Sequence, residues 1–166
     1  MWASERISGA HGVEAFRCGN DALDKWLSES AIDADRADTA RTWVWSHDGN
    51  VLAYFALCPH EVRRDSLPKR WARGRPAAIP AILVAKLALS RELQGHGYGA
   101  QLLVDALSRA LRAIEEVGGR LIVVDAIDDA AQRFYEHFGF ETVPGLAPRL
   151  IMRSTVARES LMPPSS

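Results

Sequence analysis

The sequence predicts an α/β protein built on a mixed sheet. Two observations carry that prediction. Strand-like apolar runs alternate with amphipathic helical stretches along the chain, in the order helix, hairpin, strand, helix, strand, helix, strand. Two of the later runs, AILVAKLAL and RLIVVDA, are apolar on both faces, as strands inside a covered sheet are.

Each element has its own signal. NDALDKWLSESAIDADRAD sets Leu23, Trp26, Leu27, Ala31 and Ala34 on one helical stripe, with Asn20 or Asp21 available as the cap. TWVWS and VLAYFAL read as strands, and HDGN between them as a hairpin turn. A basic, proline-punctuated loop follows. AILVAKLAL is then a strand, and GAQLLVDALSRALRAIEEVGG a long amphipathic helix stopped by Gly118 or Gly119. RLIVVDA is a buried strand. DDAAQRFYEHFGF is a short helix stopped at Gly139, with Phe134 and Phe138 expected in the core and Tyr135, about 100° around the helix from Phe134, free to line a cleft. PRLIMR is a final strand, and MPPSS a frayed tail.

Gross composition narrows the function classes. A length of 166 residues suggests a single domain over residues 1–166. The chain is 48% apolar and 25% charged, ordinary for a soluble globular protein, and its formal net charge of −1 announces no nucleic-acid or membrane partner. Cys18 and Cys58 are too few for a disulfide scaffold and read as buried thiols of a reducing compartment. The opening MWASERISGAHGVEAF lacks the apolar core of a signal peptide, and no run is long enough to span a membrane. A cytoplasmic protein is expected. One local shift departs from this even balance: between Glu61 and Arg75 stand Arg63, Arg64, Lys69, Arg70, Arg73 and Arg75 against Glu61 and Asp65, net +4. A charge run is usually a solvated face, but this one is compatible with a phosphate backbone.

The stretch QGHGYGA places Gly95, Gly97 and Gly99 ahead of the long helix. A helix start offers unpaired N–H groups and about half a positive charge, and glycines let the backbone approach a phosphate without a Cβ in the way. The motif alone also fits a tight turn without ligand. GHGYGA matches the dinucleotide pattern G-x-G-x-x-G/A, with Asp125 downstream at a strand end. That reading is set aside because SRELQ separates strand from glycine, the motif lies past the midpoint, and too little chain follows for two nucleotide-binding halves. The triphosphate loop G-x-x-x-x-G-K-[ST] is absent.

Together, QGHGYG and the later DDAAQRFYEHFGF resemble two motifs of the GCN5-related N-acetyltransferases (GNAT). The first is [RQ]-x-x-G-x-[GA], beginning here at Gln94 and including Gly97 and Gly99. The second is N-x-x-A-x-x-[FL]-Y-x-x-x-G-F, matched from Ala131 through Phe134, Tyr135, Gly139 and Phe140, with Asp128 where many members carry asparagine. The resemblance covers roughly Ile82 to Val143. It implies a mostly antiparallel sheet with splayed central strands flanked by helices, and acetyl-CoA as cosubstrate with no metal. Its pyrophosphate would lie on the backbone of Gly95, His96, Gly97, Tyr98, Gly99 and Ala100, with Gln94 also part of the cofactor site. The pantetheine arm would pair with Leu87, Ala88 and Leu89, with room made by the strand near Ala126, Ile127 and Asp128. Tyr135 would stand at the sulfur.

The chemistry suits those residues. An amine attacks the thioester and a thiolate leaves; a phenol of pKa about 10 can give it a proton. A backbone N–H of the Leu87–Leu89 strand could hold the oxyanion. A lysine amine, pKa about 10.4, would need a base, whereas an α-amine, pKa about 7.7–8.0, has a substantial neutral fraction at cellular pH unaided. His60 and Glu61 are candidate bases that read better as solvated loop residues, and His96 as an exposed turn residue. The lack of an evident base therefore points to an α-amine acceptor.

Over nearly its whole length the chain is similar to the acetyltransferase toxins of bacterial type II toxin–antitoxin pairs, through FRCGNDALDKWL, RTWVW, IPAILVAKLALSRELQGHGYGAQLLVDALSRA and DAIDDAAQRFYEHFGF. An aspartate at the Asp128 position is familiar there. The resemblance implies acetylation of aminoacyl-tRNA, arrest of translation, a ribbon-helix-helix antitoxin as partner and a homodimer. It also puts RNA contact by Arg63, Arg64, Lys69, Arg70, Arg73 and Arg75 ahead of the solvated face. Two other readings stand beside it: an acetyltransferase for a small or protein amine, and a non-catalytic coenzyme-A-binding module, which the presence of Tyr135 disfavours.

Overall fold

A computed structural model describes residues 2–162; most of the tail expected to fray lies outside the described residues. Seven strands and six α-helices fall into two units. The first comprises the chain up to Cys58 with Ala85–Ala106, and the second Pro59–Val84 with the chain from Leu107 onward. Three elements run unbroken from one unit into the other: β3 (Asn50–Arg63), β4 (Ala78–Leu89) and α4 (Tyr98–Val117).

In the first unit the strand order is β1 (Glu5–Arg6), β2 (Arg41–His47), β3, β4. The hairpin of β2 and β3 turns at Asp48 and Gly49, with φ of 50° and 80°. Two successive left-handed residues make the turn whose twist matches paired strands, which is why HDGN was legible. The expected first helix is two helices, α1 (Asp21–Glu29) and α2 (Ala31–Arg36), broken at Ser30 (φ −124°, ψ −26°). Serine is a weak helix former whose own hydroxyl competes for backbone groups, and the apolar stripe continues across the break. Asn20 caps α1 by accepting from the Leu23 N–H. Leu27 and Ala31 pack with Phe16, Val44, Val51, Tyr54 and Ala88 in this unit's core.

In the second unit the order is β3, β4, β5 (Leu121–Asp125), β7 (Arg149–Arg153), β6 (Glu141–Thr142). β4 and β5 are parallel from Ala81↔Leu121 to Val84↔Val124, whereas β5–β7 and β6–β7 are antiparallel. The core gathers Val62, Trp71, Ile79, Ala81, Leu121, Val123, Val143 and Ile151.

The basic segment is less of a loop than its composition predicts. Glu61–Arg63 belong to β3, a 3₁₀ turn covers Arg64–Ser66, and Lys69–Ala72 form α3. Buried Leu67 and Trp71 anchor it from within. β1, β6 and the C-terminal helix α6 (Ser154–Leu161) were not anticipated; two-residue strands carry no readable alternation.

The short helix α5 (Asp129–His137) corrects a more consequential expectation. Phe134 and Phe138 are only half-buried, while Tyr135 is the buried residue, 7% exposed, and packs edge-on against Phe140 at 5.6 Å. Apolar character alone does not tell which of two adjacent rings turns further inward.

Candidate active site

The glycine stretch is built for an anion. Gly95 and Gly97 have φ of 81° and 84°, left-handed values that side chains rarely adopt. A Cβ placed on either would meet no atom within 4 Å, so both glycines face open space. They lead into α4, a 20-residue helix with no acidic residue in its first turn, so its positive end is uncompensated. Among the described residues no hydrogen bond occupies the N–H of Gly95, His96 or Gly97. His96 is exposed, whereas Tyr98 at the helix start is half-buried and meets Trp2 edge-on at 6.4 Å. Trp2 in turn stacks on Trp45 at 5.7 Å. Gly99 and Ala100 supply the next backbone groups of the first turn, and both are half-buried.

Gln94 is held by bonds within the protein. Its side-chain amide donates to Cys18 O at 2.8 Å and to Leu89 O at 2.7 Å, and its backbone N–H donates to Arg91 O. All its N–H donors are engaged within the protein, so it braces the loop. Through that bond it ties the glycine stretch to the end of β4, where Ala88 is buried and Leu87 and Leu89 are half-buried. The four-residue parallel ladder with β5 ends at Val84, and β4 continues five residues beyond it, which leaves Leu87–Leu89 outside that ladder.

In the second unit, Tyr135 shares its surroundings with a charged cross-strand pair that spacing did not reveal. Asp125 and Arg149 face each other in register on β5 and β7. The guanidinium grips the carboxylate twice, at 2.9 and 3.0 Å, and its remaining Nη1 donates to His60 Nε2 at 2.7 Å. Burial, and then the negative charge of Asp125, push the Tyr135 phenol up to about 12. The phenol is therefore protonated throughout the physiological range and has a proton to give. Ala126 is buried, with its N–H on Pro148 O at 3.0 Å, while Ile127 is exposed. Asp128 caps α5 by accepting from the Ala131 N–H at 2.7 Å. Asparagine could do the same, which explains physically why either residue suits this position.

His60 is not the solvated loop residue expected. It lies in β3, half-buried, and burial followed by the Arg149 charge holds its pKa below the ordinary histidine value. With Nε2 accepting from a guanidinium, the ring is neutral and that lone pair is not free for an incoming amine. A depressed histidine pKa means that the unfolded chain binds the proton first. His60 therefore contributes stability that is present above about pH 6.5 and lost as pH falls through the folded pKa. Thermal melts between pH 7 and pH 5 should show a decline that His60→Gln reduces; an equal decline in the variant would remove His60 from the account.

The six basic candidates divide. Arg63, Arg64, Lys69, Arg70 and Arg73 are exposed and Arg75 is half-buried. Arg64 donates to Arg75 O at 2.9 Å, and Arg70 pairs with Glu141 at 3.2 Å, so two of them are partly engaged inside the protein. Arg153, missed in the sequence, lies 4.1 Å over the Trp71 ring. Nothing in the spacing of the chain announces a strand residue stacked on a helix so far away in the sequence. Among the described residues no helix is long and apolar enough to cross a membrane, and no His, Cys, Asp and Glu group is arranged to hold a metal ion.

The comparisons with known proteins agree with one another. Residues 38–142 match the model of the acetyltransferase (GNAT) domain. A tRNA-acetylating toxin of Mycobacterium tuberculosis (strain ATCC 25618 / H37Rv) is 38% identical over 142 residues, 86% of each chain. Among solved structures, AtaT complexed with acetyl-methionyl-tRNAfMet superposes with a TM-score of 0.89 at 25% identity, covering 98% of this chain and all of that one (100%). A mutant AtaT toxin bound to the C-terminus of the antitoxin AtaR and acetyl-CoA has the same fold, with a TM-score of 0.81 at 24% identity over 95% of this chain and 96% of that one.

Proposed function

From the premise that the chain belongs to the GNAT acetyltransferase family, we propose that it is a toxin that moves the acetyl group of acetyl-CoA onto the α-amino group of an aminoacyl-tRNA and so blocks translation. The observation that carries this reading is the 38% identity, over 86% of both chains, to a tRNA-acetylating toxin.

The geometry supports it in two places. The open, left-handed Gly95 and Gly97 ahead of an uncompensated helix start suit a diphosphate, with Leu87–Leu89 as the edge for the pantetheine arm. Bound there, acetyl-CoA supplies the activated thioester. Tyr135 holds a proton for the departing sulfur. His60 has its Nε2 lone pair occupied, which favours an acceptor that keeps a usable neutral fraction near pH 7, as an α-amine does and a lysine amine does not. On this reading residues 1–166 form a single acetyltransferase domain that works in the cytoplasm as a homodimer, and a ribbon-helix-helix antitoxin neutralises it.

The test is acceptor choice. Incubation with labelled acetyl-CoA should transfer label to total charged tRNA, in a form released with the amino acid, and far more slowly to free amines or to protein termini. Label appearing on a small amine or a protein, with none on charged tRNA, would leave an acetyltransferase with no RNA role.

A further inference from the structure

Arg153 closes β7, and in the antiparallel register it stands opposite Leu121. The next backbone bond joins Ser154 N–H to Arg120 O at 2.9 Å, so Arg120 and Arg153 occupy neighbouring positions on adjacent strands. Arg153 lies over the Trp71 ring at 4.1 Å, and Trp71 is 1% exposed, fixed in the core with Ile79 and Ala81. A guanidinium stacked on an immobile indole loses little further freedom on binding and still presents its N–H edge. Arg75 completes the group. Its carbonyl is held by Arg64 Nη1 at 2.9 Å and its N–H by Ala72 O at 3.1 Å. Burial, then the charges of Arg153 and Arg120, lower its pKa from the ordinary arginine value. Among the described residues no carboxylate pairs with Arg75, Arg120 or Arg153.

Arg75, repelled by the guanidinium groups of Arg153 and Arg120 with no acid among the described residues paired to any of the three, marks a site whose missing component is an anion. We propose that Arg75, Arg120 and Arg153, the last ordered on Trp71, bind backbone phosphate of the RNA acceptor. A single carboxylate matches one guanidinium fork, whereas a strand of phosphates matches three, and guanidinium pairs with phosphate through two parallel bonds. Exposed Arg63, Lys69 and Arg73 on the adjoining segment extend the positive surface available to such a strand. The site rests on the tRNA reading and adds to it: Arg120 and Arg153 lie outside the basic segment that composition singled out.

The experiment measures binding of deacylated bulk tRNA to the full chain across a salt series. Each lost phosphate contact lowers the slope of log K against log salt by roughly 0.7–0.9. The triple variant Arg75→Gln, Arg120→Gln, Arg153→Gln should lose at least tenfold in affinity at low salt and about two units of slope. Arg112→Gln, an exposed arginine of α4, should keep the wild-type slope. Arg153→Lys, which retains charge without the fork, should fall between. The double variant Arg75→Gln, Arg120→Gln leaves the Trp71 stack in place and should lose more than one unit of slope even if the triple variant unfolds. An unchanged slope in a folded double variant overturns the site while leaving the tRNA reading intact, as does an equal loss in Arg112→Gln. Wild-type protein that fails to bind tRNA, yet acetylates another amine, defeats the reading itself. Loss of binding to a poly-glutamate peptide, with tRNA binding kept, would assign the three arginines to an acidic protein segment.

Discussion

Tyr135→Phe should slow acetyl transfer by about 10²-fold and leave the affinity for acetyl-CoA nearly unchanged. The ring is buried and packed against Phe140, so the variant keeps its packing and loses one oxygen. The size of the effect follows from the phenol's acidity. A proton held with a pKa of about 12 lies roughly 5 kcal/mol uphill of a thiolate whose conjugate acid has a pKa of about 8.5. Tyr135 therefore contributes chiefly a charge-assisted hydrogen bond to sulfur as it departs, and such bonds are worth about 1.5–3 kcal/mol. That places the loss at the low end of the 10²–10⁴ range for a positioned general acid. The loss should appear in kcat with little change in KM, because the interaction strengthens only as charge develops. Bacteria should also tolerate the variant at an expression level at which wild type arrests growth. A variant that acetylates charged tRNA at the wild-type rate and still stops growth would show the hydroxyl to be a bystander.

Gly97→Glu should weaken acetyl-CoA binding by at least tenfold, about 1.4 kcal/mol. Two effects add. At φ 84° any side chain is strained, by roughly 1–2 kcal/mol, although the surrounding space is open and the protein can still fold. The new Cβ and carboxylate would then occupy the place a diphosphate takes, at a helix start that otherwise favours anions. Gly145→Glu separates the two effects, since Gly145 has φ 81° and open space as well but lies in the loop between β6 and β7. It should share the strain and bind acetyl-CoA as wild type does. Calorimetry showing unchanged affinity in folded Gly97→Glu would remove the cradle from the argument.

The difference between what the sequence disclosed and what it hid has a physical basis. Features written in local periodicity or turn chemistry were legible: the HDGN hairpin, the buried β4 and β5 runs, the 20-residue α4 and its glycine approach, and the α5 motif. Features made by pairing between distant segments were not. The Asp125–Arg149–His60 chain needs an antiparallel register and a third strand, and the Arg153–Trp71 stack needs a strand end to meet a four-residue helix. The burial order of Phe134, Tyr135 and Phe138 was hidden for a related reason. Hydrophobicity ranks tyrosine below phenylalanine, whereas here it is the tyrosine that is buried, packed against Phe140.

Gln94 carries a consequence for how this family's motif varies. Its amide holds together two carbonyls, from Cys18 and Leu89, that belong to segments far apart in the chain. The motif admits arginine or glutamine at this position, two residues that differ by a full charge and agree in carrying N–H donors on a long stem. Under that demand, interchange between them preserves the staple, whereas glutamate, nearly the same shape as glutamine, would turn a carboxylate toward two carbonyl oxygens and open it. The alphabet tolerated at residue 94 is thus set by hydrogen count, and neither electrical sign nor side-chain volume would predict it.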